Sequence, residues 1–177
     1  MTHQTDHSYK SYRSDKSKQE FETRLIDIAR VTRVAAGGKH LSFRAVVIGG
    51  DKKGRVGIGI GKGLDVAQAI EKANRAFKKH LLQIPIVKDT IPYPVQAKFG
   101  PSEIIFKPHA QGRGIVVGGP ARIICQLAGI KNISAKFVSG THNNLNNAMA
   151  AMKALAKIKN KNPKPKDDAT PPAQASS

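Results

Sequence analysis

The sequence is poor in the residues that most chemistry needs. It has one cysteine, no tryptophan, and only 12 acidic residues against 30 lysines and arginines. A single cysteine, Cys125, excludes an internal disulfide and fits a reducing, cytosol-like compartment. It sits in an apolar helical pattern, so it reads as a small buried hydrophobe. The six histidines (His3, His7, His40, His80, His109 and His142) are scattered, with no ligand pair at helical spacing, so no metal site is expected. Acids are too sparse to offer a carboxylate pair, and no nucleophile–base arrangement stands out. No enzymatic activity, cofactor or small-molecule substrate is expected. No apolar run approaches the ~18 residues of a membrane span. The first ten residues, MTHQTDHSYK, lack the apolar core of a secretory signal. The expected location is the cytoplasm.

What is abundant is positive charge. The net charge is +18 and the pI about 10.3. Residues 21–100 carry +9 of it and residues 101–158 carry +6, so the excess lies where the chain should fold. Between Asp89 and Asp167 the sole acid is Glu103. Such a balance calls for a polyanionic partner, and nucleic acid comes first.

The most informative stretch is 37–63, GGKHLSFRAVVIGGDKKGRVGIGIGKG. Leu41, Phe43, Ala45 and Val47 alternate with Ser42, Arg44, Val46 and Ile48, which predicts a strand with one well-buried face. Asp51-Lys52-Lys53-Gly54 predicts a hairpin turn with Gly54 at positive φ. In the next strand Val56, Ile58 and Ile60 share one face, and Gly57, Gly59 and Gly61 leave the other as bare backbone. Glycine in a strand marks close approach by a ligand or another backbone. The surrounding cations favour a phosphate backbone as the visitor; tight packing of another element is the alternative.

In chain order, residues 1–20 are polar and read as a flexible tail. Phe21 to Ala36 predicts a first strand with a bulge near Ala29. A helix is expected from Val66 to about Leu82, with Asp65 as N-cap, Gln68 completing a capping-box pattern, and Val66, Ile70, Ala73, Phe77 and Leu81 as its apolar stripe. Lys72, Arg75 and Lys79 line another face. Residues 21–84 thus form a three-stranded antiparallel sheet with one helix. The proline-containing segment 85–94 reads as a linker or edge. Residues 95–158 follow as a second unit: strands at 95–99, 104–107 and 133–137, a helix started by Pro120 and ended at Gly129, and a last helix after Asn143 and Asn144. Residues 159–177 read as a disordered basic, proline-rich tail. The fold class is α+β in two units.

Phosphate-binding fingerprints fail. Gly61-Lys62 lacks the upstream glycine and the hydroxyl residue of a P-loop, and no G-x-G-x-x-G register closes. The loop Gly112-Arg113-Gly114…Gly118-Gly119 before a helix could hold an anion, but it is a weak signal alone.

Arg33 through Gly63 resembles the bacterial-type fifth protein of the small ribosomal subunit. The likeness rests on Gly38-Lys39, Ser42-Phe43-x-Ala45, Gly50-Asp51 and Gly54-Arg55-Val56-Gly57-x-Gly59-x-Gly61-Lys62. It resumes at Gly112-x-Gly114-Ile115, Gly118-Gly119-x-x-Arg122 and Ala128-Gly129-Ile130, and covers roughly 21–158. The resemblance implies a first domain like a double-stranded-RNA-binding fold lacking its first helix, and a second small βαβ domain. It implies a ribosome-bound structural protein contacting 16S rRNA and the fourth and eighth proteins of the small subunit, with a role in assembly and translational accuracy. The family's first hairpin, here about Val31 to Leu41, reaches into rRNA near the site of spectinomycin action. Its glycine loop and arginine, here Gly112, Gly114 and Arg122, lie towards the fourth protein. One departure is Thr141-His142-Asn143-Asn144-Leu145-Asn146, where the family has Ser-x-Asn-Pro-x-Asn; Asn144 replaces a helix-starting proline.

The candidate RNA-binding residues are therefore Arg33, Gly38, Lys39, Arg44, Lys52, Lys53, Arg55, Gly57, Gly59 and Lys62. The candidate protein-interface residues are Gly112, Arg113, Gly114 and Arg122. The competing readings are a free double-stranded-RNA-binding module outside the ribosome and, more remotely, a phosphate-binding enzyme.

Overall fold

Residues 21–158 are described in the computed structural model of the chain, and the two segments read as tails lie outside the described residues. The first half runs β1 (Glu22–Ala35), β2 (Gly38–Gly50), β3 (Arg55–Gly63), α1 (Val66–Lys79) and β4 (Leu81–Gln83). Its sheet is antiparallel in the order β1-β2-β3-β4. The α+β class holds, but the sheet has four strands, not three. The helix stops at Lys79 because His80 leaves helical geometry, and Leu81–Gln83 then pair with Arg55–Gly57 on the β3 edge. The β1 bulge lies between Leu25 and Asp27, earlier than the Ala29 expected.

The glycine face of β3 is where the sequence reading needs its main correction. It is covered by α1, not open to a phosphate backbone. A Cβ on Gly59 would collide with the carbonyl of Ala73, one on Gly61 with that of Ala69, and one on Gly57 would lie 2.8 Å from that of Phe77. Two residues along β3 advance about 6.6 Å, and four along α1 about 6 Å. The helix therefore lies antiparallel to the strand with Phe77, Ala73 and Ala69 over Gly57, Gly59 and Gly61 in turn. Alanine on one side and glycine on the other set this close approach. Phe77, fully buried, packs against the bare backbone of Gly49, and its burial contributes about 2–3 kcal/mol.

The second half runs β5 (Val95–Phe99), β6 (Ser102–Pro108), β7 (Ile115–Val116), α2 (Gly119–Ala128), β8 (Ile133–Phe137) and α3 (Asn144–Ala156). Its sheet order is β5-β6-β8-β7, with β7 parallel to β8 and α2 as the crossover, a βαβ unit. Pro120 sits in the first turn of α2, and Gly129 closes it at φ +85°. Asn143, not Asn144, caps α3: its side chain accepts from the amides of Leu145 and Asn146. The missing proline at 144 thus leaves a well-capped helix start. A buried hydrogen bond, Ser102 Oγ to Asn147 Oδ1 at 2.6 Å, ties β6 to α3.

The halves share one core. Val46, Ile48, Val56 and Ile58, on the sheet face away from α1, join Leu127, Ala128, Leu155 and their neighbours in a single buried cluster. So the inner part of β2 is buried on both faces, where the alternation had promised one. Segment 85–94 is packed as well: Ile91 is buried, and the Asp89 carbonyl accepts from the amides of Lys131 and Asn132.

Candidate nucleic-acid interface

The centre of the first sheet, the inner part of β2 with β3, is covered on both faces, so the surface open to a polyanion lies beyond it. β3 pairs with β2 only as far as Phe43 opposite Gly63. Past that point β1 and β2 continue alone as a two-stranded arm, closing at Ala35 opposite Gly38. Gly38 adopts φ +125° there, a conformation that favours glycine. Residues 32–41 are all exposed. Among the expected residues, Arg33 and Lys39 lie on this arm. Arg33 is registered opposite His40, and Lys39 opposite Val34. The two-residue period puts them on opposite faces of the ribbon.

Sequence reasoning missed Arg30. It is exposed, and its register opposite Phe43 places it on the Lys39 face. The signal was present: from Ile28 to Gly50 the sequence has no acid, so a cation there must look outside the stretch for a counter-ion.

Lys62 is exposed and registered opposite Arg44 at the base of the arm. Arg44 itself is mostly covered and paired with Asp27 at 3.3 Å.

The turn between β2 and β3 does a different job. Asp51 Oδ1 accepts from the amides of Lys53 (2.8 Å) and Arg55 (3.0 Å), while Asp51 Oδ2 accepts from Arg55 Nε at 2.6 Å. The Arg55 guanidinium also lies over the Phe21 ring, 5.8 Å from its centre. Lys52 is paired with Glu22. The turn backbone enters the second half: the Lys52 amide donates to Leu127 O and the Gly54 amide to Ala128 O, each at 2.9 Å. Burial works to raise the Asp51 carboxyl, but the amides of Lys53 and Arg55 and the Arg55 side chain outweigh it and hold it below the ordinary range. The Lys52 hydrogen bond and charge lower Glu22 likewise. Arg55 and Lys52 are thus partnered within the protein, and Lys53 keeps an exposed side chain. Gly57 and Gly59, expected to meet RNA, lie under α1.

The second candidate group is a loop and helix start. Gly112 and Gly114 adopt φ +92° and +72°. The Gly114 amide donates to buried Asn132 at 3.1 Å, and its carbonyl accepts from Ile133. Arg113 and Arg122 are exposed on either side of β7.

Among the described residues no three His, Cys, Asp or Glu side chains converge on a metal-sized site, and no helix is long and apolar enough to cross a membrane. Burial pushes the Cys125 thiol up to about 12, which keeps it from acting as a nucleophile.

The family descriptions "Ribosomal protein S5, N-terminal domain" and "Ribosomal protein S5, C-terminal domain" match residues 21–85 and 97–167. Small ribosomal subunit protein uS5c of Rhodomonas salina is 46% identical over 151 residues, covering 85% of this chain and 89% of that one. The uS5c protein of Cyanophora paradoxa is 44% identical over 143 residues, covering 80% and 84%. Protein uS5 of Nostoc punctiforme is 42% identical over 156 residues, covering 88% and 89%.

Proposed function

The chain belongs to the ribosomal protein S5 family, and from that premise we propose how it serves the small ribosomal subunit. It is a structural, non-enzymatic constituent of that subunit, bound to rRNA and to neighbouring ribosomal proteins. The acid-free arm enters the rRNA, with Arg33 and Lys39 meeting phosphates from its two faces, joined by Arg30 and, at its base, by Lys62. The observation that carries this is the arm itself, a cationic ribbon outside a body whose glycine-rich face is already covered.

Phosphate contacts of this kind fix position, and A-form RNA is met mainly through shape and 2′-hydroxyls. The remaining expected residues divide by their surroundings. Lys53 can reach a phosphate from the turn, while Arg44, Arg55 and Lys52 serve first as internal partners. Gly112, Arg113, Gly114 and Arg122 form the side offered to another ribosomal protein.

The rRNA is 16S rRNA and the protein neighbours are the fourth and eighth of the subunit, in a cytoplasmic ribosome. Residues 21–84 and 95–158 serve as two units, joined by 85–94 and packed together through one shared core. The alternative of a free double-stranded-RNA-binding module gains no support from a family match that runs through both halves. Sucrose-gradient sedimentation of the full chain from lysate, before and after a high-salt wash, tests the reading. Stoichiometric retention with small subunits is expected; loss to the free fraction with RNA binding intact would favour the free module.

A further inference from the structure

The two faces of the arm are chemically unlike. Directly opposed residues share a face of an antiparallel ribbon. Val34 with Lys39 and Thr32 with Leu41 lie on one face, and Arg33 with His40 and Val31 with Ser42 on the other. The first face is largely apolar, with Val34 73% exposed and Leu41 43%. The second brings a guanidinium, an imidazole and a hydroxyl into one short row. Arg33 and His40 are both exposed, and directly opposed side chains stand about 4.5–5.5 Å apart at Cβ. One phosphate can therefore touch both. Among the described residues, none is hydrogen-bonded or ion-paired to either side chain.

The charged groups that share this face with His40 are Arg33 on β1 and, at the base, Arg44 on β2 opposite Lys62 on β3. The acid on this face is Asp27, six residues from Arg33 along β1, which is about 20 Å, and it is already paired with Arg44. The free arm thus offers His40 like charge alone, whereas a bound phosphate offers it opposite charge. An imidazole changes its charge between about pH 5 and 8, and an opposite charge within about 4–6 Å favours the charged form. Phosphate and proton then favour each other's binding by the same factor. We infer that Arg33 and His40 form a clamp on one rRNA phosphate, and that the clamp closes with uptake of a proton from solvent at the imidazole. The grip of the arm on RNA is then strongest at low pH and weakens as the pH rises through the imidazole range. The inference rests on the ribosomal reading above.

The test is the affinity of the full chain for small-subunit rRNA at fixed salt between pH 5.5 and 8.5, for wild type, His40→Gln and His40→Arg. Wild type should bind about tenfold more tightly at the acid end, the factor that a neighbouring opposite charge supplies. His40→Gln should bind throughout as wild type does at pH 8.5, and His40→Arg as wild type does at pH 5.5. Residue 40 is exposed, so both variants should keep the wild-type unfolding midpoint. Titration calorimetry near pH 7, in two buffers of unlike ionisation heat, should show proton uptake by wild type that His40→Gln lacks. A pH dependence that His40→Gln retains, or binding by wild type without proton uptake, would overturn the clamp and leave the ribosomal reading standing. A chain that binds the rRNA at no pH would overturn both.

Discussion

The amide of Lys52 donates to the carbonyl of Leu127 at 2.9 Å, so the β2–β3 turn of the first half is hydrogen-bonded into the C-terminal end of α2 in the second. Gly129, just past that helix end, lies against the Lys52 backbone at φ +85°, and any side chain there would strike the Lys52 carbonyl. Gly129→Ala meets both strain and collision, and should cost about 2–4 kcal/mol. Urea unfolding monitored by circular dichroism measures it. A loss below 0.5 kcal/mol would show that the contact yields easily.

The same logic applies under α1. Gly59→Ala would put a methyl into the Ala73 carbonyl and should destabilise the protein by about 2–4 kcal/mol. The folded fraction should keep the wild-type salt dependence of RNA binding. A stable variant with weakened RNA binding would return this glycine to the RNA surface.

These glycines show how far the sequence could be read. Their alternation announced that something comes close, and that was right. It could not say what, because a bare strand face accepts a phosphate or a helix equally well. The deciding signal lay elsewhere in the chain: Ala69, Ala73 and Phe77 recur every four residues, matching the two-residue step of the glycines. The N-cap at Asp65, the Gly54 and Gly129 turns and most strands were legible because they depend on local chemistry, whereas the end of α1 at Lys79 was not. β4, with three residues, was absorbed into the apolar stripe of the preceding helix. The site was partly legible for a related reason. Arg33 and Lys39 lie in a stretch without acids, whereas Arg44 and Arg55 find Asp27 and Asp51 only through pairing register and turn geometry.

Acid should loosen the turn first. The Asp51 carboxyl is held below its ordinary value of 3.8 in the folded protein. Its contribution to stability is therefore present above that value and fades as the pH falls through the lower, folded-state value. Asp51→Asn should cost about 1–2 kcal/mol at pH 7 and flatten the pH dependence of stability below pH 4. An unchanged acid limb in urea unfolding from pH 2 to 7 would contradict this role.

Cys125 should be silent in the native protein. With its thiol buried and pushed up to about 12, iodoacetamide at pH 8 should label it only under denaturing conditions. Rapid native labelling, followed by mass spectrometry, would mean that the α2 packing opens.

We propose that the arm, and not the bare glycine face of β3, makes the main contact with the RNA. The most direct measurement is the affinity of the full chain for small-subunit rRNA as a function of salt, for wild type and for Arg33→Ala with Lys39→Ala. The variant should lose about two phosphate contacts, lowering the slope of log K against log salt by about 1.4–1.8, while its unfolding midpoint stays at the wild-type value. An unchanged slope would contradict the account and move the RNA contact off the arm.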